Sequence, residues 1–335
     1  MPTPIVLDGT LPASIDAAID RLRAGQPVAM PTETVYGLAA DGLDERALAG
    51  VFDLKQRPRF DPLILHVAEP AGWHDIAEGM SDAGRRLAEA MWPGPITLVA
   101  RRRDGVPDLA TSGLPTVAVR CPSHPVANTL LRAFGGPLAA PSANRFGAIS
   151  PTRAGHVSDE FADADLLVLD GGPSERGLES TVARVLEGEP PEVLRLGAVT
   201  VEAIEAVIGQ TPRVRAATSQ PGSAEPAESP GLLDRHYAPR TPLRLMTEAQ
   251  AKGLTAGQRQ RVALLGSDEA VAALGEGFAT AATLGPADRA AEMAARLFAA
   301  MRELDASDAG QIVAIRVEDA GLGRAINDRL ARASA

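Results

Sequence analysis

Three cations lie close together in the segment KQRPRFDPLILH, residues 55–66. They are Lys55, Arg57 and Arg59, and they follow a predicted helix. A compact ammonium and a forked guanidinium, on a loop stiffened by prolines, could clamp a phosphate group. The same cations could instead only complement the negative end of the helix dipole. His66 ends the segment, and a lone histidine is more often structural than catalytic.

A second polar segment, PTETVYGLAADG at residues 31–42, carries Thr32, Glu33, Thr34 and Tyr36 just past a predicted strand. Hydroxyls and a carboxylate in that place could hold the ammonium and the carboxylate of a small amino acid. The alternative is a capped turn, because Thr and Glu are ordinary helix-start residues. The sequence leaves both interpretations open.

Two further loops are rich in small residues: PSANRFGAISPT at 141–152 and DGGPSERGLEST at 170–181. Such loops can bring backbone N–H groups close to a phosphate or a ribose, although each is also an ordinary turn. The P-loop pattern G-x-x-x-x-G-K-[ST] is absent. The second of these loops is followed by Arg195 in the segment LRLG. Arg120 ends a predicted strand, where a charge is usually paired or functional.

The fifth segment, SPGLLDRHYAP at residues 229–239, places Arg235, His236 and Tyr237 together after a flexible stretch. It could be a lid that closes on a site in the first domain. It could also be simply the start of the next domain.

Hydrophobic periodicity predicts the elements that position these segments. The mixture of helices and strands, with one hairpin, predicts an α/β domain of about 200 residues with a twisted mixed sheet. Asp44 is the expected N-cap of the second helix. The predicted helices are 13–24, 45–54 and 124–134, and the predicted strands are 27–30, 63–67, 96–100, 117–120, 166–170, 181–186 and 192–196.

Residues 211–230 are rich in Pro, Ser, Ala and Gly and read as a linker. Beyond it, four predicted strands alternate with helices, which predicts a small parallel, Rossmann-like three-layer domain. A dinucleotide role is not supported, because no G-x-G-x-x-G follows its first strand. We therefore expect a first α/β domain at 1–210, a linker with the lid segment at 211–240, and a C-terminal α/β domain at 241–335.

The composition and charge of the chain argue against several classes of function. The chain has 335 residues, a net charge of -10 and only 3% aromatic residues, which argues against a broad nucleic-acid-binding face. A single cysteine, Cys121, excludes an internal disulfide, and no zinc-ligand spacing occurs. Without a signal-peptide pattern or an apolar stretch of about 18 residues, a cytoplasmic protein is expected.

Seven motifs occur in order along the chain: PTETVYGL (31–38), KxRP (55–58), PLILHV (62–67), PGPITLV (93–99), PSAN (141–144), STV (180–182) and SPGxxxRHYAP (229–239). With these motifs the chain resembles the YrdC-type threonylcarbamoyl-AMP synthases, in their longer form with an appended C-terminal domain. The resemblance implies a nucleotidyltransferase that joins L-threonine, bicarbonate and ATP into L-threonylcarbamoyl-AMP and pyrophosphate. That product is the intermediate for N6-threonylcarbamoyladenosine (t6A37) in tRNA. No protein nucleophile is required, and Mg²⁺ is expected on the ATP phosphates rather than on protein ligands.

The resemblance also assigns site residues. The threonine site would comprise Thr34, His66, Arg120, Ala140 and Ser180, with Arg120 on the carboxylate. The ATP site would comprise Lys55, Arg57, Asp61, Thr116 or Val117, Ser142, Asn144, Ser150 and Arg195, with Tyr237 closing over it. The expected partners are small-molecule substrates and, transiently, the downstream tRNA threonylcarbamoyl transferase proteins, while direct binding of tRNA stays open.

Two departures from the family pattern matter. Asp61 stands where the family usually has Asn, and a carboxylate there would repel a triphosphate unless it faces Mg²⁺ or Arg59. Leu232 and Asp234 replace the usual Met and aromatic residue of the lid motif, so those two positions are not expected to be ligands.

Two other functions compete with the synthase. One is an RNA-binding module without catalysis, holding a nucleic-acid backbone on a surface formed by Lys55, Arg57, Arg59, Arg120, Arg145 and Arg195. The acidic composition and the scarcity of aromatic stacking platforms argue against it. The other is a carbamoyl-transfer relative inside a larger maturation protein, but the chain lacks the cysteines and the length of that context.

Overall fold

The structure of the chain, a computed structural model, describes residues 3–215 and 236–335. These residues form two compact units. The first comprises 3–146, 151–175 and 179–215, and the second comprises 147–150, 176–178 and 236–335. The second unit thus takes two short segments from the earlier part of the chain, a feature that the sequence did not indicate. The predicted boundaries at 210 and 240 stay a prediction.

Within its described residues, the first unit contains one twelve-stranded mixed sheet. Its strands, numbered along the chain, are β1 Ile5–Asp8, β2 Val28–Met30, β3 Gly37–Asp41, β4 Ile64–His66, β5 Ala77–Glu78, β6 Ile96–Arg102, β7 Thr116–Arg120, β8 Leu138–Ala139, β9 Leu167–Asp170, β10 Thr181–Arg184, β11 Glu192–Arg195 and β12 Arg213–Val214. Their order in the sheet is β1-β9-β2-β3-β8-β4-β7-β6-β10-β11-β12, with β5 paired to β6. Parallel pairs such as β4 with β7 and antiparallel pairs such as β6 with β7 occur side by side, which confirms the predicted mixed sheet.

Helices cover both faces of this sheet. They are α1 Pro12–Arg23, α2 Glu45–Lys55, α3 Asp82–Met91, α4 Asp108–Thr111, α5 Pro125–Phe134, α6 Ala154–Glu160 and α7 Val201–Ile208, with a 3₁₀ helix at Pro70–Asp75. In β2, Val28 and Met30 pack against α1 and α5, whereas Ala29 packs with α2 and α6 on the other face. This alternation follows from the two-residue period of a strand. The Asp44 side chain accepts the Arg46 N–H at 2.8 Å, which confirms it as the N-cap of α2.

One strand lies inside a segment that the sequence presents as a polar loop. Residues Gly37–Asp41 form β3, antiparallel to β2. The first four of these residues are buried, and a strand buried on both faces shows no alternation of polar and apolar residues. The small residues of GLAAD therefore carry no period-two signal, and this strand was missed.

The second unit is a four-stranded parallel α/β layer. Its strands are β13 Leu243–Met246, β14 Val262–Gly266, β15 Thr280–Thr283 and β16 Gln311–Ile315, in the order β13-β16-β14-β15. Its helices are α8 Glu248–Lys252, α9 Ala256–Arg259, α10 Asp268–Leu274, α11 Ala290–Asp305 and α12 Leu322–Ala333. The strict alternation of strands and helices correctly predicted this architecture. In the ranges that the structure describes, no helix has both the length and the apolar character needed to span a bilayer.

Candidate functional site

In neighbouring strands of the first unit, one face packs into the main apolar core, and the other carries a smaller apolar cluster and, at one end, polar residues. In β4, β7 and β6, alternate residues pack into the core with α3 and α7. The residues between them, Ile64, Val99 and Ala118, form a small separate cluster on the opposite face together with Val182 of β10 and Leu194 of β11. Because successive side chains point to opposite faces, His66, Arg120 and Thr97 lie on the same face as this small cluster.

Strand register aligns these three polar residues in a row. His66 pairs with Arg120 across β4 and β7. Leu98 pairs with Val119 across the antiparallel β6 and β7, so Thr97 comes level with Arg120 one residue further along. All three side chains are almost fully buried. The sheet thus holds a histidine, an arginine and a threonine side by side at one end of three adjacent strands.

Arg120 joins this row to the PTET segment. Its NH2 lies 2.7 Å from Oε1 of Glu33, and its NH1 donates to Oγ1 of Thr34 at 2.9 Å. Its Nε donates to the carbonyl of Gly94 at 3.4 Å. The Thr32 hydroxyl lies 2.8 Å from that of Thr34 and bonds the backbone of Val35, so Thr32 does hold a turn, as the alternative interpretation required. Glu33 and Thr34, in contrast, face Arg120.

The protonation of this group is fixed by burial and by the Arg120 charge. Burial alone would raise the pKa of Glu33, but the Arg120 charge and backbone hydrogen bonds outweigh it and lower the pKa below the usual value of 4.5. Burial and the same arginine lower the pKa of His66 from 6.5 to about 3. Near neutral pH the site therefore contains an anion, a cation and a neutral imidazole.

His66 gives a prediction for stability against pH. Its pKa is near 6.5 unfolded and about 3 folded, so between those values the unfolded chain binds more protons and stability falls as pH falls. The slope from one such group approaches about 1.4 kcal/mol per pH unit. We expect His66→Gln to lose less stability than the unmodified protein between pH 6.5 and 4.5 in chemical unfolding. His74→Gln, at an exposed position, is the control, and parallel curves for His66→Gln and the unmodified protein would contradict this assignment.

Ser180 and Arg195 extend the row on its other side. The Ser180 hydroxyl lies 2.7 Å from that of Thr97. NH2 of Arg195 donates to the Ser180 carbonyl at 2.9 Å and to its hydroxyl at 3.2 Å. A Cβ on Gly197 would come within 2.6 Å of the Ser180 carbonyl carbon, so only glycine allows this close approach. The end of the 170–181 loop therefore lies against the row, where Ser180 is within hydrogen-bond distance of Thr97.

Lys55 connects two loops by hydrogen bonds. They are residues 55–66, called the basic loop below, and residues 141–152, called the PSAN loop. The Nζ of the fully buried Lys55 donates to the carbonyl oxygens of Ser142 and Asn144. Burial first, and the Arg57 charge second, lower the pKa of Lys55 well below its usual value. The side chain that the sequence presents as a phosphate clamp thus connects two loops.

Asp61 faces Arg57 and not Arg59, which corrects one of the two partners considered above. Its Oδ2 lies 2.9 Å from NH2 of Arg57, and Arg57 also donates to the carbonyls of Asp61 and Pro62 at 3.1 and 2.9 Å. Burial raises the pKa of Asp61, against the charges of Arg57, Lys55 and Arg195. The charges of all three cations thus act on one carboxyl group, and Arg57 forms the direct ion pair with it.

The other predicted residues of the first unit are more scattered. The backbone N–H of Ala140 donates to the Ile64 carbonyl at 3.1 Å, so Ala140 adjoins β4. Thr116 begins β7 and lies about 13 Å along that strand from Arg120, and Val117 packs into the core.

Ser150 and Tyr237 belong to the second unit. The Tyr237 ring is buried there, 5.5 Å from the Phe298 ring between centroids and 5.0 Å from the Arg329 guanidinium carbon. Its backbone adopts a left-handed φ of 62°, and the N–H of His236 donates to the Arg332 carbonyl at 3.2 Å. Residues 229–235 of the lid segment, including Arg235, lie outside the described residues.

A surface cavity of about 710 Å³ is lined by other residues. Its lining comprises Val67, Ala68, Glu69, Ala71, Gly72, Asp75, Leu131, Arg132, Gly135, Gly136 and Pro137, none of them a predicted site residue. In the described part of the chain, no group of three or more His, Cys, Asp or Glu side chains could hold a metal ion.

Thr97 of the row, and Glu33, which contacts the row through Arg120, were not among the residues assigned to the threonine and ATP sites, although the Glu33 carboxylate was considered for binding an amino acid. Glu33 was visible within PTET, yet nothing in the sequence linked it to an arginine 87 positions later. Thr97 lies in the PGPITLV motif, where a polar residue inside a buried strand was the available signal.

Comparison with known proteins identifies close relatives. Residues 20–197 match the family described as "Telomere recombination" (Sua5_yciO_yrdC), and residues 199–335 match "Threonylcarbamoyl-AMP synthase, C-terminal domain". A threonylcarbamoyl-AMP synthase of Pyrococcus abyssi is 39% identical over 93% of this chain and 92% of its own length. One from Bacillus subtilis is 35% identical over 93% and 90%. The crystal structure of P. abyssi Sua5 complexed with L-threonine, 36% identical, matches with a TM-score of 0.88 and covers 100% of this chain and 97% of that one.

Proposed function

The chain belongs to the threonylcarbamoyl-AMP synthase family, and on this basis we propose that it makes L-threonylcarbamoyl-AMP and pyrophosphate from L-threonine, bicarbonate and ATP. The threonine amine captures carbon dioxide from bicarbonate as a carbamate, with loss of a proton and of water. A carbamate oxygen then attacks the α-phosphate, and pyrophosphate leaves. The product supplies the threonylcarbamoyl group of t6A37 in tRNA.

The observation that carries this proposal is the row His66–Arg120–Thr97, joined to Thr34 on one side and to Ser180 on the other. A buried arginine suits a carboxylate, and neutral imidazole and hydroxyl groups suit the polar atoms of a small hydroxylated amino acid. Threonine would therefore bind at this end of the sheet, beside Thr34, His66, Arg120, Ala140 and Ser180.

We propose that ATP binds at the neighbouring basic loop and at Arg195. Arg57 forms an ion pair with Asp61 at 2.9 Å, and the charges of Lys55 and Arg195 act on the same carboxyl group. Positive charge held in a buried, preorganised place stabilises the charge that builds up on phosphate oxygens during transfer. Thr116, Ser142 and Asn144 are proposed to complete the part of the nucleotide site that the first unit supplies.

Mg²⁺ would arrive with the ATP phosphates. The carboxyl group of Asp61 is engaged by Arg57 at 2.9 Å, and a lone paired carboxylate is a poor cation cage. Mg²⁺ usually keeps several of its waters and binds phosphate oxygens of the substrate, so it needs few ligands from the protein. When bound, the ion would neutralise charge on the triphosphate.

Of the six cations considered for an RNA-binding surface, Lys55, Arg57, Arg120 and Arg195 are buried and bonded to the protein itself. Buried cations cannot track a nucleic-acid backbone, so nothing favours that alternative. We propose a cytoplasmic location and transient contacts with the proteins that transfer the threonylcarbamoyl group to tRNA.

The proposal is tested by measuring pyrophosphate release with each substrate omitted in turn. Release is expected only when ATP, L-threonine, bicarbonate and Mg²⁺ are all present, because the carbamate must form before it attacks the α-phosphate. Mass spectrometry should find the threonylcarbamoyl adenylate in the complete mixture. Equal release without threonine would rule out the proposed amino-acid substrate.

A further inference from the structure

The geometry points to Glu33 as a positioning and specificity residue, and this inference rests on the proposed function. We infer that Glu33 holds Arg120 in one pose and balances its charge, so that the site accepts an amino acid as a zwitterion and disfavours a simple carboxylate. Glu33 is 3% exposed and Arg120 is 4% exposed, so water screens this pair little. The two side chains come from separate parts of the sheet, a loop after β2 and the last residue of β7.

The hydrogen-bond count of Arg120 supports the positioning role. A guanidinium has five N–H donors. Nε donates to Gly94 and one N–H of NH1 donates to Thr34, whereas NH2 forms an ion pair with Oε1 of Glu33 at 2.7 Å without hydrogen-bonding geometry. At least one N–H therefore remains on each terminal nitrogen, the number that a carboxylate uses in a bidentate pair. Without Glu33 the NH2 side of the guanidinium would lose its charged neighbour, and the arginine could meet the carboxylate in more than one orientation.

The charges support the specificity role. Glu33 and Arg120 together sum to zero, and the neighbouring His66 is neutral because burial lowers its pKa to about 3. A zwitterion adds one positive and one negative charge to this pair and leaves its sum unchanged. An anion without an ammonium group would leave an excess negative charge in a buried place, which is costly.

The experiment compares two ligands that differ only in the amino group. They are L-threonine, measured by its KM in pyrophosphate release, and (R)-3-hydroxybutanoate, measured as an inhibitor competing with threonine. In Glu33→Gln the side chain keeps its shape and loses its charge. We expect the KM for threonine to rise about 10- to 100-fold, because the buried charge that holds and balances Arg120 is lost. The Ki of (R)-3-hydroxybutanoate should fall in the same variant, while the KM for ATP and kcat at saturating threonine change little.

The opposite directions of the two effects separate this role from a merely structural one, which would weaken both ligands alike. Glu187→Gln, an exposed glutamate in the turn between β10 and β11, is the matched control and should leave both constants unchanged. Equal weakening of both ligands, or no change in either, would overturn the inference. If the unmodified protein does not respond to threonine, the proposed function itself fails, which is a distinguishable result.

Discussion

Replacing Arg120 by methionine is expected to abolish threonine-dependent pyrophosphate release and to destabilise the protein at the same time. The variant loses the proposed ligand of the threonine carboxylate, and truncating such a buried charged partner costs about 2–5 kcal/mol, roughly 30- to several thousand-fold in affinity. It also leaves Glu33, 2.7 Å away in the present structure, as an unpaired buried carboxylate. Breaking a buried ion pair from one side costs about 3–5 kcal/mol of stability. Steady-state kinetics and chemical unfolding measure the two effects separately.

The double variant Arg120→Met/Glu33→Gln separates stability from function. Removing both charges should recover most of the lost free energy of unfolding, since no unpaired charge remains, whereas activity should stay lost. Arg213→Met, at an exposed position on β12, is the control for loss of an arginine. Activity in the double variant close to that of the unmodified protein would show that Arg120 does not bind the substrate.

Lys55→Met is expected to reduce kcat/KM for ATP by at least about 100-fold, because it removes the charged donor that we propose for the phosphates. An ammonium has three donors, and two of them are used by the carbonyls of Ser142 and Asn144. The third is left for a phosphate oxygen. The substitution should also free the PSAN loop from the basic loop, so the KM for ATP should rise together with the fall in kcat.

The chain supplies a matched control for this experiment. Lys252 is its only other lysine, exposed on α8 and near Glu248, which it follows by four residues. Lys252→Met should retain full activity. If Lys55→Met keeps the KM for ATP and loses only stability, Lys55 is a structural tether and not part of the nucleotide site.

The architecture was predictable where the period of the apolar residues was clear. The hairpin of β10 and β11 and the alternating strands and helices of the second unit followed from runs of a single period. The strand ends at His66 and Arg120 were also visible, because each closes a run of apolar residues. Short strands of small residues, such as β3 and β8, were not visible, since neither length nor alternation marks them.

The partners within the site could not be predicted, because they join distant parts of the chain. Lys55 bonds carbonyl oxygens of residues 87 and 89 positions later, and a sequence pattern cannot distinguish a carbonyl from a phosphate as its acceptor. Asp61 forms its ion pair with Arg57, four residues away, rather than with Arg59. Both positions belong to a loop in which the φ and ψ angles, and not the spacing, decide which guanidinium comes near.

The order of synthesis matters for the segment that contains Ser150. The carbonyl of Gly147 accepts the N–H of Ala238, and the carbonyl of Ile149 accepts from Arg302. A nascent chain that emerges from the ribosome from its N-terminus makes residues 147–150 long before either donor exists. This short stretch can therefore form both hydrogen bonds only after nearly the whole polypeptide has been synthesised. Premature termination beyond the large sheet would leave a protein with most of its strands and an unfinished segment around Ser150.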